Sequence, residues 1–364
     1  MGCLSELGSR IYLHIPLVCG FIKTTWIPMR EYRLNEFHGF DSLTLTETPT
    51  PDPGPSQVLV KVHAVSLQHR DLAVAKGRYP KAVQPGIVPM SDMAGEIVAV
   101  GSEVTNFSVG DRICANFAMP GFPLGDLGAA IDGVLAEFKL FDADPQRLVK
   151  FPDHLTYREA STLPCAGLTA YAALYGPVPV KSGDVVLIQG TSGVSIFVLQ
   201  FALAAGATVI VTSSSDDKLK LAEKLGAHHG INYVATPNWD EEVMKITDGN
   251  GANIVIDIGG ASSLIRSVKA CASGGWIQLV GVIEKAQADL NSLPLLAIVK
   301  NVCLQGILMG GADRFRQMNE RIDSVKMRPY IDPKEFTFEE AADAFRYMDG
   351  RSHVGKVVIQ VSKD

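Results

Sequence analysis

The chain has 364 residues, 47% of them hydrophobic and 20% charged, with a formal net charge of −6. That is enough apolar material for about two domains with sizeable cores, and it excludes a disordered chain. Lys and Arg are spread along the sequence with no basic stripe interleaved with aromatics, which excludes nucleic acid as a partner.

Near the N-terminus, Ile11 to Ile22 (IYLHIPLVCGFI) is an apolar run behind Arg10. It has the length of a signal-peptide core and is too short to cross a bilayer, which takes about 20 residues. It holds His14 and Pro16, no small-x-small cleavage pattern follows it, and Glu6 stands where N-myristoylation asks for Ser or Thr. Residues 1–28 thus read as a targeting segment, as an extension packed on the fold, or as a stretch before a natural start at Met29. No stable membrane insertion is expected. Six cysteines, Cys3, Cys19, Cys114, Cys165, Cys271 and Cys303, lie far apart without a CxxC pair. Zinc-ribbon spacing and a disulfide framework are therefore not expected, and a reducing, cytoplasmic compartment is.

From Met29 to about Tyr157 the chain reads as β-rich. Leu43 to Glu47 alternates and runs into the turn-rich Thr48–Ser56, Val58 to Val65 alternates as a half-buried strand, and Gly95 to Val100 leads to the turn at Gly101. Short strands punctuated by Gly and Pro suggest a barrel-like domain. Near Leu163 the pattern changes. Strands at Val185–Gln189, Val209–Thr212, Ile231–Tyr233, Ile254–Asp257 and Trp276–Val280 alternate with helices at Val194–Ala205 and Asp216–Leu225, closed by Gly206 and Gly226. Strands apolar on both faces and separated by helices imply a parallel, doubly wound α/β sheet. Phe336 to Val361 holds a Glu/Ala-rich helix and a last strand, Lys356–Val361, which could return to the first domain.

Between the first of these parallel strands and its helix lies Gly190-Thr191-Ser192-Gly193-Val194-Ser195. A strand–glycine turn–helix unit turns backbone N–H groups and a helix N-terminus toward a pyrophosphate. Of the three fingerprint glycines only Gly190 is present; Ser192 and Ser195 hold the other two places, so the contact at Ser192 is expected to be modified. The next strand ends in Ser213-Ser214-Ser215, with Lys218 one turn into the following helix. No acidic residue waits there for a ribose 2′-hydroxyl, and hydroxyls beside an ammonium suit a 2′-phosphate, so NADPH is the expected cofactor. Asp216 and Asp217 read as helix-capping residues.

Several segments together carry a resemblance: His69-Arg-Asp71 with Gly77-Arg-Tyr79-Pro80, Asp92-Met-Ala-Gly95-Glu96 to Val109-Gly-Asp-Arg112, Leu163-Pro-Cys-Ala-Gly-Leu-Thr169-Ala-Tyr171, the loop at Gly190, and Val354-Gly-Lys-Val-Val-Ile359. The chain resembles the medium-chain dehydrogenase/reductase superfamily, in its zinc-free, quinone oxidoreductase-like (zeta-crystallin-like) branch. The resemblance implies a GroES-like β-barrel catalytic domain over 29–160, completed by 312–364, and a Rossmann domain over 161–311. It implies a homodimer (or tetramer) whose sheet edges pair near Asn301–Gly310, a stretch that by its apolar character reads equally as a buried strand. The three positions that hold catalytic zinc in relatives fall at Gln68, Ser91 (with Asp92 following) and Cys165, and the four-cysteine lobe is missing. One thiolate cannot hold a catalytic zinc, so no metal is expected. Further implied are Tyr79 as proton donor, with a packing role as the alternative, and His69 as a proton shuttle or a polar lining residue. Gln68, His69 and Thr169 would lie near the nicotinamide ribose, Tyr233 by the adenosine phosphate, Gly259 and Gly281 where backbone passes the cofactor, and Lys356 at the pyrophosphate. Ala73 stands where many quinone reductases of this branch carry a second tyrosine, which weakens a quinone preference. The expected activity is NADPH-dependent reduction of a quinone or of an enone C=C bond. Alcohol/ketone interconversion in a small-molecule pathway and a low-turnover NADPH-binding scaffold remain as alternatives. Substrate choice falls to loops such as Met119–Ile131 and Ile283–Pro294.

Overall fold

The structure, a computed structural model, describes residues 27–117, 126–281 and 289–362. The apolar run Ile11–Ile22, most of the loop from Met119 and part of the loop from Ile283 lie outside the described residues.

Alternation of apolar and polar residues builds a largely antiparallel sheet from the N-terminal half. In space its strands run Phe336–Thr337, Val358–Gln360, Gln57–Ser66, Asp92–Val100, Arg112–Ala115 and Leu148–Lys150, and Phe138–Asp142 also pairs with Gln57–Ser66. The long strand Gln57–Ser66 serves two partners on one side, Phe138–Asp142 along its first half and Val358–Gln360 along its second. Register shifts against Asp92–Val100 bend it between those halves. The last strand of the chain therefore returns to the first domain, and Phe336, Phe338, Phe345 and Ile359 join Val60, Val62, Met93 and Ile113 in one core.

The second half is a six-stranded, all-parallel sheet in the order His229–Asn232, Thr208–Ser213, Val185–Gln189, Ala252–Asp257, Cys271–Leu279, Cys303–Gly306. Its central strands are buried on both faces, as their uninterrupted apolar runs require. Counted along the chain the order is 3-2-1-4-5-6, which reverses direction between Val185–Gln189 and Ala252–Asp257. Ligands of such sheets bind in the crevice beyond the carboxyl ends at that reversal. The fold is thus α/β: a Rossmann doubly wound sheet joined to a GroES-like barrel.

Where strands depart from their predicted spans, they do so at the ends. The predicted third strand, Ile231–Tyr233, is His229–Asn232, and the predicted final strand, Lys356–Val361, is Val358–Gln360. Residues 354–357 are instead pinned between the two domains. Gly355 N donates to Thr191 O at 3.0 Å, and Leu67 N donates to Val357 O at 3.0 Å. This short segment ties the phosphate loop to Leu67, just before the helix His69–Ala75. Among the described residues, no helix is long and apolar enough to cross a membrane.

Candidate functional site

The loop at the sheet reversal has the shape that its sequence implied. Gly190 takes φ +72°, a conformation that L side chains rarely adopt, and its N–H donates to Thr212 O at 2.8 Å. Ser192 is the N-cap of the helix Gly193–Ala204 but makes no side-chain capping bond. Ser195 is buried and bonds Gln189 O at 2.9 Å, so serine at the third fingerprint position closes the turn from inside. Gly193 meets the closing segment tightly: a Cβ there would stand 2.5 Å from Lys356 Cδ. Across the reversal, Gln189 Oε1 accepts from Ile258 N at 3.1 Å and Gly259 N at 3.2 Å, holding the second backbone wall of the crevice. Gly281 backs onto Ile258, whose carbonyl a Cβ at 281 would approach to 3.2 Å. These features fit a dinucleotide lying over the loop, with its phosphates at the helix start.

At the adenosine end, Tyr233 N donates to Ser213 O at 3.0 Å, so these two predicted residues are neighbours, and Tyr233 and Ser214 are exposed. Two expectations are corrected here. Ser215, and not the pair Asp216–Asp217, caps the helix Asp216–Lys224, by accepting from Lys218 N. Asp216 instead accepts from Asn232 Nδ2 at 2.7 Å. Lys218 does not extend freely past the serines: its ammonium donates to Arg351 O at 2.5 Å and His353 O at 3.0 Å. It thereby links the adenosine side of the Rossmann domain to the closing segment.

The three positions expected from the zinc comparison do converge, around a carboxylate that sequence reasoning passed over in favour of its neighbour. Asp92 is fully buried and accepts from Ser91 Oγ at 2.9 Å, from Cys165 N at 3.1 Å and from Gln68 Nε2. Cys165 lies in a single π-helical turn, Leu163–Gly167, whose wider backbone frees that N–H for Asp92. Burial, reinforced by Asp92, pushes the Cys165 thiol up to about 12, so it is protonated at neutral pH. Thr169 is buried in the helix that follows, Leu168–Leu174.

Lys356 also differs from its expected place. Its stem runs over Gly193, but its ammonium is buried and donates to Leu67 O. Burial lowers its pKa while Asp92, Cys165 and Asp71 hold it up. Asp71, also buried, accepts from Gln68 N at 2.7 Å, and desolvation pushes its carboxyl up to about 6. The floor of the cleft is therefore a compensated cluster of two acids and an ammonium under the Gln68 amide. Among the described residues, no group of three or more His, Cys, Asp or Glu side chains could hold a metal ion.

Tyr79 is half-buried, with the Arg70 guanidinium 5.0 Å from its ring centre. His69 opens onto solvent, yet the protein around its ring desolvates it and, with Arg351, holds it below its ordinary pKa, so it is neutral at pH 7.

Residues 54–153 match the family described as alcohol dehydrogenase GroES-like domain, and residues 193–324 match that described as zinc-binding dehydrogenase. A zinc-type alcohol dehydrogenase-like protein of Schizosaccharomyces pombe is 40% identical over 90% of this chain and 97% of its own length. Mouse quinone oxidoreductase is 27% identical over 91% of this chain and 97% of its own length. The crystal structure of an NAD-dependent alcohol dehydrogenase superposes with a TM-score of 0.83 at 30% identity, covering 92% of this chain and 100% of that one. With the barrel, the doubly wound sheet and the phosphate loop in place, the chain belongs to the medium-chain dehydrogenase/reductase superfamily, in its quinone oxidoreductase-like branch, and is an oxidoreductase with a nicotinamide cofactor.

Proposed function

We propose that this protein reduces quinones or the activated C=C bond of enones with NADPH, by direct hydride transfer and without zinc. The observation that carries the reading is what stands at the zinc-ligand positions. They hold the Gln68 amide, the Ser91 hydroxyl and one thiol, Cys165, grouped around the neighbouring Asp92, which accepts a hydrogen bond from each of the three residues. That donor set does not fit a catalytic zinc, which takes three protein ligands drawn from Cys, His, Asp and Glu. Alcohol oxidation then lacks its usual Lewis acid, whereas an enone or quinone spreads the developing charge onto an oxygen that hydrogen bonds can stabilise.

The bound cofactor supplies the hydride. The chain's own residues do the rest: the Gly190–Gly193 loop and the start of its helix hold the phosphates, Gln68 and Thr169 wall the nicotinamide end, and the buried cluster excludes water beneath it. Tyr79 is the hydrogen-bond donor, and the acid, for the acceptor oxygen, while solvent-facing His69 passes protons to it. Ser213, Ser214, Lys218 and Tyr233 form the cradle that prefers the 2′-phosphate. The protein acts as a homodimer in the cytoplasm.

The test is NADPH oxidation followed by its loss of near-ultraviolet absorbance against a quinone panel, an enone panel and a ketone panel, alongside metal analysis of the purified protein. Turnover with quinones or enones at substoichiometric zinc supports the reading. Activity confined to ketones and alcohols favours the alcohol/ketone reading, which the likeness to alcohol dehydrogenases keeps open. Tight NADPH binding without any turnover points to a scaffold.

A further inference from the structure

Arg70 stands apart from the groups that the reaction above uses. It follows Gln68 and His69 into the helix His69–Ala75, and its side chain is only 10% exposed. The rings of Tyr79 and Phe117 lie against the guanidinium, with centroids at 5.0 and 4.7 Å. One nitrogen, Nη1, is occupied: it donates to Leu127 O at 2.9 Å and meets Asp71 Oδ1 at 3.5 Å. The other two, Nε and Nη2, are shielded from solvent and have no hydrogen-bond partner among the described residues.

A desolvated cation with two orphaned donors weakens a fold unless something else satisfies them. The identity of the two orphans is informative. Nε–H and Nη2–H point the same way from one edge of the planar guanidinium, at the spacing of two carboxylate oxygens, which is the side-on fork that takes a carboxylate bidentately. With aromatic rings against it and Nη1 engaged, this edge is what Arg70 has left to offer. The fork lies beside Tyr79, and the Arg70 charge reaches Cys165 and Asp71 in the cleft floor.

We infer that the acceptor reduced at this site carries a carboxylate, gripped by Nε and Nη2 of Arg70 next to Tyr79. The inference rests on the reductase reading for the word acceptor, while the carboxylate grip can be measured without turnover. Arg70 is then a specificity-determining residue that fixes one end of the substrate so that its conjugated carbonyl faces Tyr79.

The experiment pairs 3-benzoylacrylate with its methyl ester, and their saturated products 3-benzoylpropionate and its methyl ester. Reduction consumes NADPH and one proton per C=C bond and yields NADP⁺ and the saturated keto acid. Calorimetric titration of the NADP⁺-loaded protein with the saturated pair reads the grip alone. The acid is expected to bind at least tenfold more tightly than the ester, and the acid-to-ester ratio to fall at least tenfold in Arg70→Gln. In Arg70→Lys, which keeps the charge and loses the fork, the ratio falls at least threefold. If Arg70→Gln does not fold, the lysine variant carries the test. Equal binding of acid and ester by the wild type, or an unchanged ratio in the folded variants, overturns the inference. Selective binding of the acid with no reduction of either unsaturated compound keeps the carboxylate site and overturns the reductase reading instead. In steady state, a supported grip shows as a KM difference between acid and ester that disappears in the Arg70 variants.

Discussion

Replacing Asp92 separates two contributions that the structure places on one side chain. The carboxylate accepts from Ser91 Oγ, Cys165 N and Gln68 Nε2, and it faces the buried Lys356 ammonium. In Asp92→Asn, one side-chain oxygen can still accept from Cys165 N and Gln68 Nε2, while the new amide turns to Ser91, whose hydroxyl can reverse its role. The loss is the charge assistance of those bonds, about 1 kcal/mol each, offset in part by relief from burying a charge, for a net of about 1–2 kcal/mol. In Asp92→Ala, three donors lose their acceptor at about 1–3 kcal/mol for each that stays unsatisfied, a cavity opens, and Lys356 loses its strongest counter-charge. Alanine should therefore cost about 4–6 kcal/mol, several times the loss in asparagine. Urea denaturation at pH 7, followed by far-ultraviolet circular dichroism, reads both values, with the slope checked for constancy. Asp92→Ala no less stable than Asp92→Asn would refute the hub assignment, because it would mean that the oxygens satisfy nothing.

Four further outcomes follow from single contacts. Asp71 has an ordinary carboxyl pKa when unfolded and about 6 when folded, so its contribution is complete below the unfolded value and is lost as pH rises through about 6. Between pH 7 and pH 5 the wild type should gain about 1 kcal/mol over Asp71→Asn, and parallel pH–stability curves would sink the assignment. Gly193→Ala places a Cβ 2.5 Å from Lys356 Cδ in a site where Lys356 is only 3% exposed, and should raise the dinucleotide Kd about tenfold or more by fluorescence titration. Lys218→Ala should lower the NADPH-to-NADH affinity ratio about tenfold, the range of a charge-assisted bond; equal losses for both dinucleotides would show that Lys218 only tethers Arg351 and His353. The helix Leu293–Lys300 has no buried residue, with Leu295, Ile298 and Val299 66%, 75% and 72% exposed beside the edge strand Cys303–Gly306, so the proposed homodimer should dissociate to a monomer in Ile298→Glu, as read by light scattering of variant and wild type.

The doubly wound half is legible in the sequence because its signal is local and repeated. Val185–Gln189 appears with the bounds read from the sequence, and the helices after it end at Gly206 and Gly226 with φ of +79° and +108°. Buried strands followed by amphipathic or apolar helices have little else to become. The barrel is legible only as a class, since its long strand Gln57–Ser66 pairs with Phe138–Asp142 and with the far end of the chain at Val358–Gln360, and no periodicity announces such a register. The phosphate loop can be read despite its serines, because a positive-φ glycine after a buried strand and before a helix is a backbone requirement that one residue carries.

The floor of the site follows a different logic. Asp92 escapes notice beside Ser91 because matching by ligand position finds the residue where a metal ligand would be, not the neighbour on which the surrounding donors converge. A signal is nonetheless present: Asp92 and Lys356 are charged residues in largely apolar stretches of sequence, and a charge that such a stretch carries into the core needs a partner. Lys356, assigned by family position to the pyrophosphate, and Lys218, read beside the serine run as a 2′-phosphate ligand, both hold carbonyls across the domain junction. A lysine with three donors on a flexible stem can serve a carbonyl and a phosphate from nearly one place. The two ammoniums thus hold the chain's last segment across the domain junction, and under the proposed function the same charges would also serve the cofactor.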